Sequence, residues 1–193
     1  MSTYREAAYM NERKPVIERK TEVPAGAHEI WLAGGCFWGL EKYVSGIRGA
    51  ISTSVGYANG TAVSPTYKQV CTGTTGAAET VHVVYDPETL PLASLLRLYM
   101  QAIDPTSLNR QGADAGTQYR TGIYYLDEAD LGAINAEIKR VDSECNDPVV
   151  VEVKPLSNYY LAEEYHQEYL KKNPAGYCHI GDALCAAAWS ATS

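Results

Sequence analysis

The stretch HEIWLAGGCFWGLEKYVSGI, residues 28–47, changes its periodicity halfway along. HEIWLA reads as a strand, and Gly34 and Gly35 break it. From Cys36 onward Leu40, Tyr43, Val44 and Ile47 recur at spacings of three and four, the stripe of an amphipathic helix. A strand that feeds a helix through a glycine turn is the unit from which the fold is read. The residue at the turn is a cysteine, followed by Phe37, the one phenylalanine in a chain with 15 tyrosines.

The same alternation of elements continues downstream. AISTSVGYA has strand periodicity through Ile51, Thr53, Val55 and Tyr57, and ETVHVVYDP is a strand stopped by Pro87. Pro91 suits the first turn of a helix carrying Leu92, Leu95, Leu96, Tyr99 and Ile103. After the polar loop SLNRQGADAGTQYR, TGIYYL reads as a strand. A helix over 130–144 places Leu131, Ile134, Ile138 and Val141 on one face. PVVVEVKP is a further strand, and LAEEYHQEYLKK reads as a last helix ended by NPAG. Strands and helices in this order predict an α+β two-layer sandwich with a mixed sheet. Residues 1–27 read as an N-terminal arm, 28–177 as the catalytic domain and 178–193 as an irregular C-terminal tail. Within that tail, DALCAAAW has the composition of a short helix capped by Asp182.

Composition narrows the function. The 193 residues suffice for one domain with its own core, and the net charge of −7 argues against nucleic acid or an anionic membrane as partner. No apolar run is long enough to span a bilayer, and MSTYREAAYMNERKPVIERK lacks the apolar segment of a signal peptide, so a cytoplasmic monomer is expected. Five cysteines (Cys36, Cys71, Cys145, Cys178 and Cys185) are an odd number, and in a reducing compartment a bridge among them is catalytic rather than structural.

Cys36 sits where the free N–H groups and dipole of a helix favour a thiolate, the reactive form of cysteine. A small buried hydrophobe fits the local pattern equally well. Phe37 and Trp38 cannot both face the core of one helix, so at least one lines the surface beside the thiol. Phenylalanine brings no hydroxyl there, which suits an apolar cup for a small nonpolar group; burial of Phe37 in the core is the other reading.

GGCFWGLE resembles the signature of the peptide methionine sulfoxide reductase A family. The resemblance continues through STSVGYANG, SPTYKQVCTGTTGAAETVHVVYDP, DPTSLNRQGADAGTQYRTGIYY and AEEYHQEYLKKNPAGYCHIG, and so covers about residues 29–181. It implies a ferredoxin-like core and reduction of the S epimer of methionine sulfoxide, free or in oxidised proteins. By the same resemblance Cys36 is the nucleophile, Glu79 the proton donor, and Tyr57 and Tyr119 the phenols that bind the sulfoxide oxygen. Phe37 and Trp38 hold the methyl group. Asp114 lies near the substrate backbone or stabilises its own loop. Attack leaves a sulfenic acid on Cys36, which Cys178 resolves as a disulfide. Cys185 is a second recycling thiol or a bystander. Thioredoxin is the implied external reductant, with no bound cofactor and no metal. Cys71 and Cys145 read as structural, and His166 as a helix-packing residue.

Two positions depart from the family pattern: Ala77 stands where a histidine is usual, and Ala113 where asparagine is common. Two rivals stay open. Acyl transfer by a Cys–His pair needs a histidine base, and none of His28, His82, His166 and His179 lies in a recognisable partner motif. A module that binds methionine sulfoxide without turnover needs only the cup.

Overall fold

The strand, glycine turn and helix of residues 28–47 are present in the computed structural model, which describes residues 15–191. In chain order the elements are β1 (Val16–Ile17), β2 (His28–Ala33), α1 (Phe37–Ser45), β3 (Ala50–Ala58), α2 (Tyr67–Cys71), β4 (Ala78–Tyr85) and α3 (Leu92–Ala102). A small hairpin follows, β5 (Arg110–Gln111) and β6 (Asp114–Ala115), then β7 (Gly122–Tyr125) and α4 (Leu131–Glu144). The chain continues through β8 (Glu152–Pro155), β9 (Asn158–Leu161), α5 (Tyr169–Lys172) and α6 (Asp182–Ala191).

Seven strands form one sheet in the order β1-β9-β3-β4-β2-β7-β8. The β1–β9 and β7–β8 pairs are parallel and the rest antiparallel, so the sheet is mixed. Alternation along the strands sorts side chains between two faces. Ile30, Leu32, Val55, Val81, Val83 and Ile123 join the helices in the main core, with Leu40, Leu95, Leu96, Tyr99 and Ile134. Trp31, Ala33, Ala58, Tyr124 and Tyr159 form a smaller cluster on the other face. There Trp31 stacks on His82, with ring centroids 4.5 Å apart.

Two tyrosines tie the helical layer to the end of the sheet that matters for function. The Tyr99 hydroxyl donates to the Ala33 carbonyl (2.7 Å), the last residue of β2, and the Tyr43 hydroxyl donates to the Leu98 carbonyl (3.0 Å). The first bond holds the strand end before the turn against α3, and the second ties α1 itself to α3.

The strand β9 runs hard against β3 at Gly56. A methyl group there would stand 2.4 Å from the Tyr160 carbonyl oxygen and 2.6 Å from the Tyr159 ring. Backbone cannot yield as a flexible side chain does, so Gly56→Ala is expected to destabilise the protein by about 1–3 kcal/mol. A lower midpoint in urea unfolding, at unchanged m-value, is the measurement.

Two expectations are corrected. Helix over 161–172 forms only at Tyr169–Lys172; Leu161 belongs to β9, and turns fill residues 164–168. The Gln167 side chain takes the backbone bonds a helix would use. It accepts from the Val55 amide (2.9 Å) and donates to the carbonyls of Val55 and Ala162 (both 2.8 Å). Glu168 then adopts a left-handed conformation (φ 51°), with its amide bonded to the Glu41 carboxylate (2.8 Å). The tail is not irregular, because residues 182–191 are helical and alanine-rich. The Gly181 carbonyl accepts the first helical bonds, from Leu184 (3.0 Å) and Cys185 (3.2 Å), while Asp182 pairs with Lys42 (2.7 Å) on α1.

Of the arm, residues 1–14 lie outside the described residues. Its remainder joins the sheet: β1 pairs with β9, and the Glu18 carboxylate accepts from the Leu161 amide (2.8 Å).

Candidate active site

Gly34 and Gly35 are needed for two different reasons. A side chain on Gly34 would strike Ile103 at 2.7 Å. Gly35 is left-handed (φ 76°), and a Cβ on it would stand 2.6 Å from Gln111 and 3.2 Å from His179. The turn delivers Cys36 to the N-cap of α1 at 8% exposure. The next amide, that of Phe37, donates to Glu79 Oε2 (3.1 Å). Register does the rest: Glu79 on β4 faces Tyr57 on β3 across the ladder, with both side chains on the helical face of the sheet.

Glu79 is 1% exposed, and its other oxygen, Oε1, is buried without a hydrogen-bond partner. Burial pushes its pKa up to about 8, against the pull of the Phe37 amide and with a smaller push from Asp114. The carboxyl is therefore mainly protonated at neutral pH. Burial also pushes the Cys36 thiol up to about 12, helped by Glu79 and Asp114. The amides of Trp38 and Gly39 pull the other way without winning. When Glu79 is protonated its share of that rise lapses, yet burial, the largest cause, still holds the sulfur as a thiol. A resting thiolate at the helix N-terminus was the expectation; desolvation overrides the dipole, and the resting pair is a neutral thiol beside a neutral acid.

Phe37 and Trp38 divide the two readings made of them. Phe37 is 1% exposed and belongs to the core, with its ring tilted against Tyr57 (6.0 Å) and His166 (5.2 Å). Trp38 is half-buried and stacks on Tyr169 at 3.8 Å. Its indole N–H donates to His166 Nδ1 (3.0 Å). His166 is thus more than a packing residue: it fixes the plane of Trp38. Accepting through Nδ1 puts the ring proton on Nε2.

The two phenols are not equivalent. The Tyr57 hydroxyl donates to Glu163 Oε2 (2.8 Å), while Glu163 Oε1 accepts from the Tyr67 amide (2.9 Å). Burial would raise the pKa of Glu163, but the Tyr67 amide and the Tyr57 hydroxyl hold it below its ordinary value. Tyr119 ends a 3₁₀ turn at Thr117–Tyr119 and is half-buried. Burial raises its pKa, and Glu79, Asp114 and Cys36 all add to the rise, so it lies within electrostatic reach of them. Asp114 lies on β6 with Oδ2 buried and unpartnered, and the Tyr177 hydroxyl faces it.

All five cysteines are free thiols. The Cys178 thiol donates to the Ile180 carbonyl (3.1 Å) and stands 3.3 Å from where a Gly39 Cβ would be. Cys185, 1% exposed on α6, lies near Lys42 and Tyr43 further along α1. Cys71 is exposed beside Tyr67, and Cys145 ends α4. No histidine hydrogen-bonds the Cys36 sulfur among the described residues.

The structure thus brings Cys36, Phe37, Trp38, Tyr57, Glu79, Asp114 and Tyr119 to one place, with Cys178 on the flank of α1. Sequence reasoning missed Glu163, His166 and Tyr169 as site partners, because it read their segment as a packing and surface helix rather than as turns that return to α1 and β3. The sequence model of the peptide methionine sulfoxide reductase family matches residues 28–191. A relative named peptide methionine sulfoxide reductase MsrA, from Lachnoclostridium phytofermentans, is 59% identical over 152 residues, 79% of this chain and 92% of that protein. The crystal structure of reduced Mxr1 from Saccharomyces cerevisiae aligns with a TM-score of 0.81 at 36% identity, over 87% of this chain and 98% of that one. Mxr1 in complex with Trx2 aligns at 0.58 and 25% identity, over 80% and 92% of the chains. The mixed α+β sheet and the cysteine-bearing helix turn define a thiol oxidoreductase scaffold. The chain belongs to the peptide methionine sulfoxide reductase family.

Proposed function

We propose that the protein reduces methionine S-sulfoxide, free or in oxidised proteins, through the Cys36 thiol. The observation that carries this reading is the unpartnered Oε1 of a buried, largely protonated Glu79, on the same carboxyl carbon as the oxygen that holds the Phe37 amide. A sulfoxide seated with its methyl against Trp38, over the edge of the buried Phe37 ring, would present its oxygen to Glu79 and Tyr119. As Cys36 sulfur attacks the sulfoxide sulfur, the oxygen becomes basic and takes a proton from the acid. The oxygen ends on Cys36 as sulfenic acid, the thiol proton passes to the Glu79 carboxylate and restores the acid, and the substrate leaves as the sulfide. The sulfoxide sulfur gains two electrons and the cysteine sulfur loses two.

The recycling assignment belongs to the same proposal. Cys178 closes a disulfide with Cys36, and Cys185 accepts the disulfide in a further exchange. The Mxr1–Trx2 complex supports a protein of the thioredoxin class as reductant. Residues 28–177 would then be the catalytic domain, 178–193 the tail carrying both recycling thiols, and 1–27 the arm. The segment β2-α1-β3-β4-α3-β7, with strand order β3-β4-β2-β7 inside the sheet, supports a ferredoxin-like core.

A single-turnover count tests the reading. Pre-reduced protein is mixed with excess S-epimer methionine sulfoxide and no reductant. Two methionines per chain and three thiols lost are expected: two thiols as the Cys178–Cys185 disulfide and one as sulfenic acid on the regenerated Cys36. One methionine and two thiols lost would remove Cys185 from the cycle. No methionine would sink the reading in favour of binding without turnover.

A further inference from the structure

His179 follows Cys178 directly and is half-buried over the turn that carries Cys36. Its Nε2 lies 3.2 Å from the Gly34 carbonyl oxygen. A carbonyl only accepts, so the ring proton is on Nε2, and Nδ1 carries a free lone pair. That Nδ1 is buried and has no hydrogen-bond partner.

Gly39 shows what this nitrogen borders. The position a Cβ would occupy on Gly39 is 2.8 Å from His179 Nδ1 and 3.3 Å from Cys178 Sγ. The Gly39 amide also acts on the Cys36 sulfur from its other side. One residue without a side chain therefore borders the nucleophilic sulfur, the resolving sulfur and a bare imidazole nitrogen. Burial holds the ring below its ordinary pKa, so it is neutral and able to accept a proton. The charged group facing the ring is Asp114 on β6, while Lys42 on α1 faces Cys178.

We propose that His179 Nδ1 is the proton acceptor for Cys178 in the step that closes the Cys36–Cys178 disulfide, an inference that rests on the reductase reading above. The Cys178 thiol, now turned to the Ile180 carbonyl, rotates toward Nδ1 and gives up its proton. The thiolate attacks the Cys36 sulfenic sulfur. The S–S bond forms and the S–O bond breaks, and hydroxide leaves with the electron pair. It takes the proton from Nδ1 and departs as water. Cys178 sulfur is oxidised and Cys36 sulfur reduced, both to the disulfide level, with no outside reagent.

The test follows the lifetime of the sulfenic acid. Pre-reduced protein receives one equivalent of methionine sulfoxide, and samples are quenched with a 1,3-diketone that traps sulfenic acid, with intact-mass detection. His179→Gln keeps a donor for the Gly34 carbonyl and removes the basic nitrogen. It is expected to prolong the sulfenic acid by about 10²-fold or more, the lower end of general-base effects. In His179→Ala, added imidazole is expected to shorten the lifetime again, and more basic substituted imidazoles to do so more effectively. A loss of packing would not respond in that order. Disulfide closure at the wild-type rate in His179→Gln, or no response of His179→Ala to any imidazole, would overturn the proposal. A wild-type protein that forms no sulfenic acid and no methionine would instead overturn the reductase reading beneath it.

Discussion

Glu79→Gln is expected to slow methionine formation in the first turnover by about 10²–10⁴-fold, the range for loss of a general acid. Glutamine can still accept from the Phe37 amide, so the turn before α1 keeps its hydrogen bond and the loss falls on proton donation. The pH profile of the wild type checks the assignment. Protonated Glu79 is the active form, and its pKa is about 8. The first-turnover rate should therefore fall as pH rises through that value, and Glu79→Gln should lose this limb. Stability should fall with pH as well. Between the ordinary carboxyl pKa of 4.5 and about 8, the unfolded chain ionises at Glu79 while the folded chain does not. Folding then takes up a proton, and stability drains away as pH rises through that window. The glutamine variant is released from this and should melt higher than wild type at pH 8. A variant both slower and less stable there would mean that Glu79 is held for packing rather than chemistry.

Tyr119→Phe is expected to cost about 10²-fold in first-turnover rate, as for one donor lost from an oxyanion-type site, and Tyr57→Phe distinctly less. The structure separates the two phenols. Tyr57 has its proton engaged with Glu163 at 2.8 Å, and that carboxylate also receives the Tyr67 amide. To serve the sulfoxide it must first leave a charged acceptor. Tyr119 instead lies within electrostatic reach of Glu79, Asp114 and Cys36. Rates measured under saturating sulfoxide decide the order; a larger loss for Tyr57→Phe would assign it the principal donor role.

Much of this was legible before any coordinates. The period change at Gly34–Gly35, the alternation of AISTSVGYA and ETVHVVYDP, and the stripe on residues 92–103 are local signals, and each gave an element in its place. The candidate reactive residues were legible as motifs. Their mutual positions were not, because the facing of Tyr57 and Glu79 is a property of strand register, which pairs residues far apart in sequence. The segment AEEYHQEY misled because its polarity suits a helix surface. Its polar groups are spent on distant backbone and side chains: Glu163 on Tyr57, His166 on Trp38, Gln167 on Val55. The resting charge of Cys36 was misread for a related reason, since a sequence displays the helix end but not the depth at which it lies.

The docking of α6 has a consequence for tempo. Trp189 covers Gly46, donates its indole N–H to the Tyr43 carbonyl (2.8 Å), and with the Asp182–Lys42 pair keeps the helix down over Cys185. An incoming dithiol has no access to that sulfur while the helix is seated. Its apparent affinity is the intrinsic one divided down by the fraction of molecules momentarily unlatched. In the proposed cycle the enzyme would then be re-armed at a pace set by the release of a ten-residue helix, whatever the speed of the chemistry at the centre.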